Sequence, residues 1–135
     1  MQQLKSMLDA HPSPAHSDGD IARECVEACY ECAAICTSCA DACLAEDDVA
    51  SQVDCIRLNL DCADICALTG RLFARPSARD AGALRHQLEA CAAMCRACGS
   101  ECAKHAAHME HCRICSEACR RCADACDRMI SALAA

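Results

Sequence analysis

The chain has 135 residues, enough for one domain, and 18 of them are Cys. With one Tyr, one Phe, no Trp and a net charge of −7, it lacks the basic, aromatic surface that nucleic-acid binding requires. Its longest apolar runs are a few residues, far below the roughly 20 needed to cross a membrane, so we expect a soluble protein with neither nucleic acid nor a membrane as partner.

The candidate core is short of large apolar side chains. Leu, Ile, Val and Phe together number only 20, against 29 Ala and 18 Cys. A chain with so few large apolar residues and this net charge has the composition of a disordered sequence. It can fold only if Ala and Cys form its interior.

Residues 1–16 are the first predicted segment, a polar leader with room for one short helix through Leu4, Met7 and Leu8. The leader contains neither a basic stretch followed by a long apolar one nor a twin Arg, so the sequence predicts a cytoplasmic protein. A reducing cytoplasm keeps thiols free. This many cysteines there favour metal binding over a disulfide scaffold.

The first predicted helix spans residues 17–45, with Ser17 and Asp20 as a capping signal at its start. Its cysteines are separated alternately by four and three residues, which is the 3.5-residue period of a stripe on one helical face. The stripe consists of Cys25, Cys29, Cys32, Cys36, Cys39 and Cys43.

The second predicted helix spans residues 48–74 and is bounded by Arg75-Pro76, because the residue before a proline disfavours helical backbone. Its stripe has fewer cysteines than the first. In the same phase, it contains Cys55, Asn59, Cys62, Cys66, Thr69 and Phe73. A polar residue such as Asn59 on a buried stripe needs a hydrogen-bond partner or a ligand.

The third and fourth predicted helices span residues 77–105 and 109–133, the third with a capping signal at Ser77 and Asp80. The turn between them is placed where the alternation slips, at 109–115. Their stripes are Cys91, Cys95, Cys98 and Cys102, and then Cys112, Cys115, Cys119, Cys122 and Cys126. Long helices with short connections predict an all-α, antiparallel up-down-up-down four-helix bundle, a single domain over residues 17–135.

In such a bundle the cysteine stripes point inward and line one shared tube. Two sulfurs four residues apart on a helix can hold one soft metal ion between them. Cu(I) cancels one thiolate charge per ion, so bridging thiolates could hold about one ion per Cys in a nearly neutral core. Stacked Zn(II) sites with four thiolates each would leave negative charges in the tube. The sequence therefore predicts multiple Cu(I) ions as cargo.

The two ends of the predicted tube differ. One end is an apolar plug formed by Ile21, Phe73, Leu84, Leu88, Met129 and Leu133. The other end is rich in potential ligands, and His and Met side chains there exchange copper more readily than thiolates do. We predict that metal enters and leaves at this mouth, formed by Cys43, Cys55, Asn59, Cys102, His105, His108, Met109, His111 and Cys112.

Two other functions fit part of the pattern. The first is a zinc or general soft-metal buffer, and the second is an iron–sulfur or redox protein, because three-cysteine fragments such as Cys25-x₃-Cys29-x₂-Cys32 match the spacing of some cluster sites. No catalytic triad, phosphate-binding loop or carboxylate pair stands out. The sequence therefore does not predict an enzyme.

The complete pattern, over about residues 17–133, resembles the copper storage proteins, four-helix bundles whose cysteine-lined core fills with Cu(I). This resemblance implies bulk cytosolic Cu(I) storage, a bundle that is stable without metal, and a homotetramer. A copper chaperone or a chelator would then be the donor of the metal. The histidine ligands of the family at the open end correspond to His105 and His111, with His108 and Met109 as further candidates. The motifs that carry the resemblance are Cys25-x₃-Cys29-x₂-Cys32-x₃-Cys36-x₂-Cys39-x₃-Cys43, Cys91-x₃-Cys95-x₂-Cys98-x₃-Cys102-x₂-His105 and His111-Cys112-x₂-Cys115-x₃-Cys119-x₂-Cys122-x₃-Cys126.

Overall fold

A computed structural model describes residues 1–13, 18–77 and 79–134. Over these residues it contains helices and no strand, which confirms the predicted all-α class. None of the described helices is both long and apolar enough to cross a bilayer. The elements are α1 (Gln2–Asp9), α2 (Gly19–Leu44), a 3₁₀ helix (Val49–Gln52), α3 (Val53–Phe73), α4 (Ala81–Ala103) and α5 (Glu110–Ala134).

The four long helices form a ring in chain order. Helix α2 packs against α3 and α5, and α4 packs against the same two helices. The sulfur contacts show that α2 and α5 run antiparallel, because Cys29, Cys32, Cys36 and Cys39 of α2 meet Cys122, Cys119, Cys115 and Cys112 of α5 in turn. Helices α3 and α4 are antiparallel too, because Cys55, Cys62 and Cys66 of α3 meet Cys102, Cys95 and Cys91 of α4. The predicted up-down-up-down bundle is confirmed.

The starts of α4 and α2 differ from the predicted positions. Helix α4 begins at Ala81 instead of residue 77, because Asp80 accepts a hydrogen bond from the backbone N–H of Ala83 at 2.9 Å and so caps the helix. The Ser77 hydroxyl is instead 2.7 Å from that of Ser13. Helix α2 begins at Gly19, and the predicted cap at Ser17 lies outside the described residues.

The predicted second helix is divided into two elements. Asp48 Oδ1 accepts from the backbone N–H of Ser51 at 3.4 Å, which starts a 3₁₀ turn before α3. The last residue of this turn, Gln52, is buried. The predicted turn before the fourth helix is present, with the backbone N–H of Met109 bonded to the carbonyl of His105 at 3.0 Å.

The end of the bundle opposite the 3₁₀ helix is closed by large apolar side chains. Phe73, Leu88 and Met129 are at most 1% exposed, Leu84 is also buried, and Ile21 and Leu133 pack partly buried against this core. Arg79 Nη1 donates to both carboxylate oxygens of Asp18, at 2.9 and 3.0 Å, and the guanidinium lies over the Phe73 ring, 5.5 Å from its centroid. The predicted plug residues therefore all belong to the core.

Two glycines set how closely neighbouring helices approach. A Cβ at Gly70 would lie 3.1 Å from the Tyr30 ring, between α3 and α2. A Cβ at Gly99 would lie 3.2 Å from Cβ of Cys119, between α4 and α5. Because Cys119 belongs to a buried stripe, it has no room to move away. The absence of a side chain at Gly99 thus brings two cysteine-bearing helices together.

We predict that Gly99→Val lowers the free energy of unfolding by about 1–3 kcal/mol, because the added carbons overpack the contact with Cys119. Gly82 is the matched control, since it is exposed and a Cβ at this position would lie 3.6 Å from its nearest neighbour, Asp80 Oδ1. Gly82→Val should stay within about 0.5 kcal/mol of the parent. Urea unfolding of the reduced, metal-free protein measures both, and equal effects would contradict the close-packing interpretation.

Candidate metal centre

All 18 cysteines are free thiols buried in the bundle. Within one helix, Cys32 and Cys36 sulfurs are 3.7 Å apart, and those of Cys62 and Cys66 are 3.8 Å apart. Contacts between helices are equally short, as in Cys66 with Cys95 at 3.5 Å. The 3-4 spacing therefore produces a continuous file of sulfurs through the core.

The sulfurs group into overlapping sets of four whose ligand atoms all lie within 4.8 Å of one another. Each set shares at least one cysteine with the next. Four all-cysteine tetrads are Cys29–Cys91–Cys122–Cys126, Cys32–Cys66–Cys95–Cys122, Cys32–Cys36–Cys62–Cys119 and Cys36–Cys98–Cys115–Cys119. Shared sulfurs suit bridging thiolates, in which one sulfur serves two monovalent ions.

Asn59 lies on the cysteine stripe of α3 and is completely buried. Its Oδ1 accepts from the thiols of Cys98 and Cys115 at 3.0 and 3.1 Å, and its Nδ2 donates to Cys55 Sγ at 3.5 Å. These bonds satisfy the buried amide. The structure thus places an amide oxygen among the thiols, where the stripe pattern predicted a ligand.

The mouth of the tube combines thiols with one imidazole. His111 Nδ1 lies 3.4 Å from Cys39 Sγ and 3.6 Å from Cys112 Sγ. Its Nε2 donates to Glu46 Oε1 at 3.2 Å, since a carboxylate oxygen can only accept. With Cys43, these ligands form a further tetrad, the mouth tetrad, of Cys39, Cys43, Cys112 and His111.

The other residues predicted at the mouth are placed differently. His105 Nε2 lies 3.3 Å from Glu101 Oε2, and His108 is exposed to solvent. Met109 packs partly buried against the core. Cys55 and Cys102 do meet, with their sulfurs 3.6 Å apart. Of the three histidines, His111 is therefore the one that the structure brings into contact with thiols.

Two polar residues at the mouth were not among the predicted ligands. Gln52 Oε1 lies 4.0 Å from Cys43 Sγ, and Glu46 orients His111. Both continue the phase of a cysteine stripe, since Glu46 follows Cys43 by three residues and Gln52 precedes Cys55 by three. Both belong to the connection between α2 and α3, where the acidic residues indicate favourable charge at a helix start, so the phase gives an inward position but not the contact with His111.

Thr69 lies on the cysteine stripe of α3, but its hydroxyl bonds to groups other than thiols. Its hydroxyl donates to the carbonyl of Ile65 at 2.8 Å and accepts from Gln87 Nε2 at 3.1 Å. Both hydrogen-bonding roles are therefore occupied by other groups. The ligand-bearing part of α3 ends at Cys66, and the plug begins beyond it.

Hydrogen bonds between the thiols raise the pKa of some cysteines and lower the pKa of others. Hydrogen bonds with Cys115 and Cys119 raise the pKa of Cys36, whereas hydrogen bonds from Cys102 and Cys119 lower the pKa of Cys115. Near the plug, hydrogen bonds from Cys126 and Cys29 lower the pKa of Cys25 to about 5. At the mouth, burial raises the pKa of Cys112 to about 11, and the nearby charge of Cys43 adds to the effect.

A helical bundle with a continuous file of buried thiols defines a class of protein that binds several soft metal ions in its interior. Comparison with known proteins agrees with this class. The family model of the copper storage protein matches residues 19–131. A search of the curated proteins found no match.

Solved structures include several similar proteins. The copper storage protein Ccsp from Streptomyces lividans, loaded with 10 copper equivalents, is 44% identical, with a TM-score of 0.91 over 95% of this chain and 98% of that chain. A cytosolic copper storage protein from S. lividans with five coppers is 48% identical, with a TM-score of 0.81 over 83% and 93%. Apo copper storage protein 3 from Bacillus subtilis is 37% identical, with a TM-score of 0.69 over 81% and 98%. This chain belongs to the copper storage protein family.

We predict that the metal-free protein loses stability as the pH rises from about 9 to about 11. An unfolded Cys has an ordinary pKa of 9.0, whereas Cys112 in the folded protein keeps its proton up to a pKa of about 11. The unfolded chain therefore binds fewer protons in this window, and each such thiol lowers the free energy of unfolding by about 1.4 kcal/mol per pH unit. Cys25, with a pKa of about 5, is already ionised in the folded protein, so its slope has the opposite sign and disappears once the unfolded thiol has ionised, above about pH 10.

Urea unfolding followed by helical circular dichroism, with a phosphine reductant at each pH, measures this dependence. Cys112→Ala should reduce the slope between pH 9 and 11 relative to the parent. An unchanged slope would show that Cys112 is not held neutral in the folded protein.

Proposed function

We propose that this chain is a high-capacity store that sequesters Cu(I) on the thiolates lining its bundle, and that it does so without catalysing a reaction. The observation that supports this most directly is the series of overlapping cysteine tetrads. Each Cu(I) bound between two thiolates displaces thiol protons and cancels charge as the core fills. No large rearrangement is needed, because the sulfurs are already 3.5–4.0 Å apart.

Copper binding by the relatives supports a cargo of many ions. One S. lividans relative carries 10 copper equivalents and another carries five coppers. The second is described as cytosolic, which supports the same compartment for this chain. Its family is one of copper storage, and this agrees with a role in holding metal.

We infer a ligand set of all 18 thiols, with Asn59 Oδ1 and His111 Nδ1 as the additional donors. The support is positional, since Asn59 faces Cys98 and Cys115, and His111 faces Cys39 and Cys112. His105, His108 and Met109 are proposed as residues of the rim, outside the thiol file. Residues 17–135 would form the storage domain, and residues 1–16 its leader.

We infer that metal passes through the His111 end of the tube. The opposite end is closed by buried Phe73, Leu88 and Met129, which offer little to a cation apart from a thioether. At the His111 end, an imidazole about one quarter exposed reaches two thiols, so it can pass an ion from solvent to the core. Imidazole exchanges Cu(I) more readily than bridging thiolates do.

Two aspects of the assembly follow from family resemblance. We propose that the chain forms a homotetramer, and that it receives Cu(I) from a copper chaperone or from a small chelator. Neither proposal changes the ligand chemistry, since the thiol file lies inside a single bundle.

A zinc or general soft-metal buffer is the second candidate function. The all-cysteine tetrads favour it, because Zn(II) prefers four thiolates in a tetrahedron. The sharing of cysteines between tetrads argues against a zinc buffer, since adjacent tetrads cannot then bind Zn(II) independently. Competition between Zn(II) and Cu(I) separates the two functions, and iron content with visible absorbance after anaerobic purification tests the iron–sulfur alternative.

We predict that anaerobic titration of the reduced protein with Cu(I), against a chromophoric chelator, approaches one ion per thiol, about 18 per chain. Saturation at roughly four ions or fewer, the capacity of separate four-thiolate sites, would contradict storage by bridging thiolates.

A double variant tests the Cu(I) capacity further. Cys91→Ala with Cys95→Ala removes two sulfurs that contact Cys66 at 3.8 and 3.5 Å, and should lower the capacity by about two ions while the helicity stays unchanged. Thr37→Ala with Ser38→Ala, on the exposed side of α2, is the matched control and should keep full capacity.

We further predict that His111→Ala slows Cu(I) uptake from a chelator several-fold and leaves the final capacity within about one ion of the parent, because the core thiols remain. Stopped-flow absorbance in the thiolate-to-copper charge-transfer region measures the rate. His86→Ala removes an exposed histidine of α4 and should not change it. Equal rates in all three proteins would exclude His111 from the uptake route.

A further inference from the structure

The mouth tetrad differs from the core tetrads in composition. It contains three thiols and one imidazole, whereas each of the four tetrads named above contains four thiols. It also shares no residue with those four, because Cys39, Cys43, Cys112 and His111 belong to none of them. The mouth tetrad thus differs from these four in its members and in its composition.

We propose that in the copper-free protein the mouth tetrad binds one divalent zinc-type ion, with ligands that Cu(I) would occupy in the loaded store. Three cysteines and one histidine are one of the standard ligand sets of tetrahedral Zn(II). The inference concerns one Zn(II) bound by the copper-free protein, so it can hold or fail whatever Cu(I) capacity the chain has.

The distances match this coordination. Bond lengths of about 2.3 Å to sulfur and about 2.0 Å to nitrogen place the ligands of a tetrahedral Zn(II) about 3.8 Å apart for two sulfurs and about 3.6 Å apart for sulfur and nitrogen. In the mouth tetrad, Cys39 and Cys112 sulfurs are 4.0 Å apart. Nδ1 of His111 is 3.4 and 3.6 Å from these two sulfurs. Small movements suffice to close the site around an ion.

The side chains that contact the ligands of the mouth tetrad are also typical of a metal site. Glu46 accepts a hydrogen bond from Nε2–H of His111, which leaves the Nδ1 lone pair directed at the thiols. A carboxylate behind a histidine fixes the ring orientation and makes the other nitrogen a better donor to metal. Gln52 lies beside Cys43, with its Oε1 4.0 Å from the sulfur.

Charge favours the mouth over the core for a divalent ion. Zn(II) with three thiolates and a neutral imidazole carries one negative charge, and the imidazole is partly exposed, so water and the Glu46 hydrogen bond stabilise the site. A core tetrad would carry two negative charges out of contact with water, which costs more desolvation energy. The first divalent ion therefore binds at the mouth.

The test is titration of the reduced, copper-free full chain with Zn(II) in competition with a chromophoric zinc chelator, followed by zinc X-ray absorption at one equivalent. We expect an end point of one tight equivalent per chain. The absorption should fit three sulfurs at about 2.3 Å and one nitrogen at about 2.0 Å. Several equivalents of equal affinity, or a fit to four sulfurs, would overturn the proposal by placing zinc in the core.

Variants test the ligands separately from the fold. His111→Ala and Cys112→Ser should each weaken zinc binding at least tenfold, and Glu46→Leu should weaken it about 10-fold while Glu46→Gln recovers part of the loss, since an outer hydrogen-bond partner contributes at this level. His86→Ala is the matched histidine control and should bind zinc like the parent. Unchanged affinity in His111→Ala, with helicity retained, would refute the site. Cu(I) capacity measured on the same samples tests storage independently.

Discussion

The structure depends on the register between antiparallel helices that carry the same spacing of cysteines. Each step along α2, from Cys29 to Cys39, is matched by a step back along α5, from Cys122 to Cys112. Because alternating steps of three and four follow one helical face, the sulfurs stay aligned over several turns. A slip of one residue would rotate the thiols of one helix away from those of its neighbour, and the bridging geometry would be lost.

This constraint explains the unusual core. Side chains larger than Cys along the stripe would fill the tube and separate the helices, so Ala and Cys dominate the interior, and the close contact at Gly99 keeps α4 and α5 together. The large apolar residues are concentrated at one end, where Phe73, Leu88 and Met129 are buried without competing with thiols. Cross-helix ion pairs such as Arg121 with Glu31, at 2.8 Å, lie on the surface and add at most about 1 kcal/mol each.

The two ends of the tube therefore have different chemistry. At the plug, apolar packing and the Arg79–Asp18 pair close the bundle. At the mouth, the α2–α3 connection brings Glu46 to His111, and the Asn59 amide bonds to the deeper thiols of Cys98 and Cys115. In the proposed function, metal that reaches the core passes a site of different ligand composition first. The interior suits the proposed storage of monovalent ions, and the mouth ligands suit the proposed divalent one.

The amino-acid sequence by itself determined the helical class, the order of the bundle and the thiol-lined interior, because helical periodicity is a local property that cysteine spacing records directly. It also predicted Asn59 as a polar member of the stripe. It did not place the start of α4, where Ser77 with Asp80 predicted a start at residue 77 and Asp80 itself is the cap, or the 3₁₀ turn before α3. Nor could spacing decide which histidine meets the thiols. His105 and His111 lie at either side of one turn, and only the packing of α2 against α5 directs His111 toward Cys39 and leaves His105 with Glu101. Periodicity can place a residue such as Glu46 in phase with a stripe but does not select a partner far away in the chain, so the tertiary structure alone decided its contact with His111.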